Sequence, residues 1–169
     1  TEKLHVLKCD ATNKEELKRL LEGQDAVVSF IGHVKGSAPL VQSDAMKTLI
    51  EVMHELKMKR LVSLTGTGVR QPGDKLSLID RLLTLGVRTV DFDRINDGIQ
   101  HVKILKNSDL DWTVLRVLKL QNTKPSPFSL KENGPAKLLV SREDVARAAL
   151  EVLEDNSFIR KLPILSKRN

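Results

Sequence analysis

Arg60-Leu61-Val62-Ser63-Leu64-Thr65-Gly66-Thr67-Gly68 is the stretch on which the fold turns: an apolar run of strand length that leaves into hydroxyls and glycines. Upstream, Asp25-Ala26-Val27-Val28-Ser29-Phe30-Ile31-Gly32 has the same form, and downstream so does Asp111-Trp112-Thr113-Val114-Leu115-Arg116-Val117. Helical patterns separate the runs. Val41, Ala45, Leu49, Val52, Met53 and Leu56 recur on one helix face, and a further helical stretch before the third strand carries Ile99, Val102, Ile104 and Leu105. Strands that are apolar on both faces and separated by helices need cover on both sides. The expectation is an α/β protein with a doubly wound, mostly parallel sheet and helices on both faces. In such sheets ligands bind beyond the carboxyl ends of the strands. The exits at 9–12, 30–36, 65–70 and 117–123 are therefore the places to look for chemistry.

The rest of the chain extends this pattern. Leu4-His5-Val6-Leu7 reads as a first strand, and Thr12-x-x-Glu15 is a capping-box signal for the helix carrying Leu17, Leu20 and Leu21. Residues 74–107 read as two helical stretches, the first ending at Gly86 in the left-handed capping role. The Pro- and Gly-containing segment 122–136 is expected to be a mobile loop. Ser141-x-x-Asp144 caps a helix with Val145, Ala148, Ala149, Val152 and Leu153 inward. Leu162-Pro163-Ile164-Leu165 reads as an edge strand, because proline cannot donate to a central ladder.

Composition narrows the function classes. At 169 residues the chain is read as one domain. No apolar run approaches the length of a membrane span, and the first residues lack a signal-peptide pattern. The single cysteine, Cys9, excludes an internal disulfide and fits a reducing, cytoplasmic setting; a buried strand-end thiol is favoured over a reactive one. The net charge is +6, yet Lys and Arg are interleaved with acids, and aromatics are 3% of the chain. That pattern argues against nucleic acid and for a basic cleft that takes a phosphorylated small molecule. No metal-ligand spacing stands out. The chain holds no tyrosine.

Five segments stand together in a meaningful order: Cys9-Asp10-Ala11-Thr12, Gly23-Gln24-Asp25-Ala26-Val27-Val28-Ser29, Arg60 to Gly66, Ser108 to Arg116, and Ser141-Arg142-Glu143-Asp144-Val145-Ala146. In this order they resemble the atypical short-chain dehydrogenase/reductases of the NmrA-like and flavin (biliverdin-IXβ) reductase type, whose fold is Rossmann-like. The resemblance covers nearly the whole chain and is specific for the family, not for a substrate. Two departures stand out. No Gly-x-Gly-x-x-Gly or Gly-x-x-Gly-x-x-Gly occurs, so the domain is expected to lack the N-terminal Gly-rich βαβ unit of its relatives. Val117 stands where relatives usually have proline after Arg116.

The resemblance implies NAD(P)H as cofactor, NADPH favoured over NADH, and hydride transfer to a small flavin-, quinone- or carbonyl-type substrate. The alternatives are a non-catalytic, NAD(P)-sensing regulatory module, or a truncated chain that binds no cofactor. Residue by residue, Asp10 would bond the adenine amino group, or else serve backbone donors at a helix start. Phe30, Ile31 and Gly32 would lie along the cofactor, with a simple turn glycine as the rival reading of Gly32. Thr65 is the candidate catalytic hydroxyl near the nicotinamide, with Gly66 beside it; a turn-capping threonine is the alternative. Lys103 would reach the nicotinamide ribose, or be an exposed helix lysine. His33 would meet a phosphate or substrate, or simply be solvated. Arg116 is read as structural. The tyrosine–lysine couple of the full short-chain dehydrogenase mechanism cannot form, so the proton is expected from solvent. A missing central strand would expose an apolar edge, so either self-association or a longer native chain is expected.

Overall fold

The computed structural model describes residues 4–34, 36–75, 77–78, 81–82, 85–86, 92–136 and 140–168. The strands are β1 (Ala26–Ser29), β2 (Arg60–Gly66), β3 (Asp111–Val117), β4 (Leu120–Gln121), β5 (Phe128–Lys131), β6 (Val140–Ser141) and β7 (Ile164–Lys167), and the helices α1 (Lys14–Leu21), α2 (Val41–Glu55), α3 (Phe92–Lys106) and α4 (Arg142–Glu154). The main sheet has the order β1-β2-β3-β7-β5. β1, β2, β3 and β7 run parallel, and β5 returns antiparallel to β7 at the far edge. β4 and β6 form a separate two-stranded pair.

Alternation along the strands divides the core. Leu61 and Val114 face one side, where they meet Leu17 and Leu21 of α1, Met46, Leu49 and Met53 of α2, and Val102 and Leu105 of α3. Val62 and Leu115 face the other, against Val145, Ala148, Ala149 and Val152 of α4. Both faces are covered, and the fold is Rossmann-like as the two-faced strands require. Each such aliphatic side chain contributes about 1.5–3 kcal/mol when taken from water.

Several expectations change. Leu4-His5-Val6-Leu7 is not a strand: among the described residues it pairs with nothing in the sheet, and Leu4 is 88% exposed. Among the described residues β1 is hydrogen-bonded on one side only, to β2, and Val28 and Phe30 are exposed. The α1 cap is one residue later than Thr12. Asn13 accepts from the Glu15 and Glu16 N–H groups, and the Glu16 carboxylate reaches back to the Asp10 N–H. Gly86 is helical and has no positive φ, so it does not take the left-handed capping role. Residues 122–136, expected as loop, contain β5. β7 is an interior strand rather than an edge, because Pro163 lies just before it and costs the ladder no donor; its carbonyl accepts from the Arg116 N–H at 2.8 Å. Ser141 caps α4 as expected, accepting from the Asp144 N–H at 2.9 Å.

Candidate functional site

The carboxyl ends of β1, β2 and β3 open into one cavity of about 460 Å³. Its walls are the β1 exit Phe30-Ile31-Gly32-His33, the β2 exit Thr65-Gly66-Thr67-Gly68, Val117 and Leu118 after β3, Arg94 and Ile95 of α3, and Arg142 at the start of α4. Two glycines matter to its shape. A Cβ built on Gly32 would meet no protein atom within 4 Å, and one on Gly66 would meet its first neighbour, the Gly68 nitrogen, at 3.9 Å. Both glycines line the cavity. Bare backbone there leaves room for a flat ligand to approach the strand ends.

Gln42, buried at the first turn of α2, ties the two main exits together. Its Nε2 donates to the Ile31 carbonyl at 3.0 Å and to the Leu64 carbonyl at 2.7 Å. The start of α2 has no side-chain cap of its own. Its donors are satisfied from a distance by Asp97 of α3, a carboxylate with no exposed surface. Asp97 accepts from the Gln42 and Ser43 N–H groups at 2.8 Å each and from the Ser43 hydroxyl. The fourth partner is Nε2 of His33, at 2.8 Å. Burial alone would raise the Asp97 pKa, but the Ser43 hydroxyl, the two N–H groups and His33 outweigh it and hold the carboxyl below its usual range.

One helical turn onward, His101 is fully buried with Nε2 3.1 Å from the Ser63 hydroxyl, and its Nδ1 has no partner. Burial pushes its pKa down to about 4, against a smaller opposing pull from Asp97. It is a neutral core imidazole. Between Asp97 and His101, Gly98 lets α3 lie against the β2 exit: a Cβ there would stand 2.8 Å from Thr65 Oγ1.

Of the residues singled out from the sequence, Phe30, Ile31, Gly32, Thr65 and Gly66 line the cavity. Asp10 does not; its carboxylate accepts from the Thr12 N–H at 2.9 Å and hydroxyl at 2.8 Å, the helix-start alternative. Lys103 is exposed on α3 and is not part of the cavity wall. His33, read as solvated or ligand-facing, is neither free nor wet: its side chain is 7% exposed and paired to Asp97. Arg116 is structural as read, bonded to both Asp74 oxygens and to the carbonyls of Val69, Glu132 and Leu162. Burial, helped by Glu16 and Asp10, pushes the Cys9 thiol up, away from reactivity.

Asp97, Gln42, Arg94 and Arg142 escaped the sequence reading. Asp97 had a signal: it shares a helix face with His101 and Leu105, at i+4 and i+8, so its charge falls on a buried stripe.

The chain's residues 1–156 match the model of a family described as NAD(P)H-binding. No curated protein matches the chain in sequence. Several solved structures share its fold, three of them as follows. A short-chain dehydrogenase/reductase from Veillonella parvula in complex with NADP is 20% identical, with TM-score 0.79, covering 100% of this chain and 75% of that one. An oxidoreductase from Lactococcus lactis is 16% identical, with TM-score 0.78 and coverage of 99% and 74%. ChuY, an anaerobillin reductase from Escherichia coli, is 16% identical, with TM-score 0.75 and coverage of 95% and 73%.

Proposed function

The chain belongs to the NAD(P)H-binding family, and from that premise we propose that it is a reductase that passes a hydride to a small, flat flavin-, quinone- or carbonyl-type acceptor. The observation that carries the reading is the cavity where three parallel strands end, with Gly32 and Gly66 bare in its wall. Bound along Phe30, Ile31, Gly32, Thr65 and Gly66, NAD(P)H would supply the hydride. The chain's own part is to orient and to exclude water. Phe30 and Ile31 offer apolar surface to a flat ring. The Thr65 hydroxyl, in the same wall, donates to an acceptor carbonyl. Arg94 and Arg142 place positive charge along the rim, suited to phosphate or to an anionic acceptor.

NADPH is preferred to NADH in this reading, supported by the net charge of +6 and by the NADP complex of the Veillonella relative. The anaerobillin reductase named among the similar structures supports a flat, conjugated acceptor. A cytoplasmic location belongs to the same reading, supported by the lone cysteine. So does self-association through the one-sided edge of β1, supported by exposed Val28 and Phe30 and open to sedimentation.

A fluorescence titration of the chain with NADPH and with NADH tests the reading. Saturable binding in the micromolar range, tighter for NADPH, followed by oxidation of NADPH by quinone or flavin, is the expected result. No binding up to millimolar cofactor overturns it.

A further inference from the structure

We propose that His33 is the proton donor of the reaction, held in place by Asp97, so that the proton does not come directly from solvent. This rests on the reductase reading above. A hydride added to a quinone or carbonyl leaves an anion, and in a chain with no tyrosine some other acid must neutralise it. Thr65 can donate a hydrogen bond but is too weak an acid to release its proton. His33 lines the same cavity from the β1 exit, and its ring is almost entirely shielded from bulk water.

The pairing sets the ring's role. Nε2 lies 2.8 Å from Asp97 Oδ2, and because a carboxylate can only accept, Nε2 is the nitrogen that donates to it. In the proposal Nδ1, the ring's other nitrogen, exchanges the proton with the cavity that His33 lines, as the nitrogen away from the carboxylate does in a catalytic triad. Asp97 is itself immobilised by the two backbone donors of α2 and the Ser43 hydroxyl, so the ring is positioned by two helices at once. In the balanced step the acceptor gains an electron pair and hydrogen as hydride from NAD(P)H. The His33 Nδ1–H bond then breaks, and an O–H or N–H bond forms on the acceptor. The imidazole is left neutral with its remaining proton on Nε2, and solvent later returns the proton to Nδ1. The other charged groups around the ring are Asp93 and Arg94 of α3, which share with His33 the wall of an adjoining cleft, and Arg142 across the cavity.

Two acceptors separate proton supply from hydride supply. Duroquinone needs a proton after the hydride; methylene blue, a cation, becomes its neutral reduced form with the hydride alone. NADPH oxidation by the full chain is measured with both, for wild type, His33→Gln, His33→Ala and Asp97→Asn. The ratio of quinone to dye turnover is expected to fall by at least about 100-fold in both His33 variants, the scale of a lost general acid, and less in Asp97→Asn. Independently of turnover, duroquinone added to cofactor-free protein should shift the imidazole nitrogen NMR signals of His33 and leave those of His54, on the far end of α2, in place. An unchanged ratio in active His33 variants, a parallel loss with both acceptors, or unmoved His33 signals overturns the proposal alone. A wild-type chain that oxidises NADPH with neither acceptor overturns the proposal together with the reductase reading.

Discussion

Two buried carboxylates, Asp74 and Asp97, lie near the carboxyl ends of the strands, and they are used in opposite ways. Asp74 meets the guanidinium of Arg116 head-on, at 2.6 and 2.8 Å. Arg116 has no exposed side-chain surface, and its remaining donors go to the carbonyls of Val69, Glu132 and Leu162. This knot is closed: it joins the β2 exit, β3 and the segments flanking β5 and β7, and offers nothing to a ligand. Asp97 is as deeply buried, but one of its four partners, His33, is part of the cavity wall. A charge network with every group turned inward fixes geometry. One that ends on a titratable ring at a cavity can do chemistry.

The comparison is tested most severely at Arg116. Arg116→Met leaves the Asp74 carboxylate buried without its partner, which costs about 3–5 kcal/mol. Urea unfolding of this variant and of Arg116→Met/Asp74→Leu should show the double variant to be the more stable, since no charge is then stranded. Asp97→Asn keeps one acceptor oxygen, enough for the Gln42 or the Ser43 N–H but not both, and it strands no buried charge, so it should cost less than Arg116→Met. If it costs more, Asp97 is the greater structural device and the contrast is wrong.

His101, one turn from Asp97, supplies the next largest effect. Its pKa is about 4 in the fold against 6.5 for an ordinary histidine. Between those values the unfolded chain binds a proton that the folded chain refuses. The stability due to this group is therefore whole above pH 6.5 and falls as pH drops to 4, by roughly 3 kcal/mol. The lowered carboxyls of Asp74 and Asp97 add losses in the same direction at lower pH. Urea midpoints from pH 7 to 4 should fall steeply for wild type and less for His101→Leu. Equal slopes would mean that His101 charges in place.

How much of this was legible in the sequence depended on how local the cause was. β1, β2 and β3 declare themselves, because both faces are apolar and the exits carry glycine. Ser141 caps α4 from three residues away and was equally plain. Leu4 to Leu7 looks just as strand-like, but an apolar run does not say whether a neighbouring strand is there to pair with it. β5 was hidden because Phe128-Ser129-Leu130-Lys131 sits among prolines, and its partner β7 lies some 35 residues on in sequence. The glycines and Thr65 of the cavity were readable from strand exits. Asp97 showed only as a charge on a buried helix stripe, and its role did not show, since its partners Gln42 and Ser43 are 55 and 54 residues away and His33 lies farther still.

Gly98 sharpens the contrast at the smallest scale, because it sets how closely α3, and with it Asp97, approaches the β2 exit. An alanine there gains up to about 1 kcal/mol of helix propensity. Its Cβ, however, would stand 2.8 Å from Thr65 Oγ1 and 3.0 Å from Val69 Cγ2, and overpacking of this kind costs about 1–3 kcal/mol. Both opposing atoms belong to short β-branched side chains, which have little freedom to move aside, so the clash wins and Gly98→Ala should lose about 1 kcal/mol. Thr65→Ala removes one of the two contacts, and Gly98→Ala/Thr65→Ala should be more stable than the sum of the single changes implies. Additive effects in urea unfolding would show that α3 can slide without disturbing Thr65. Asp97 and the β2 exit would then not be one rigid unit, and the line drawn between a closed knot and an open one would have to be redrawn at α3.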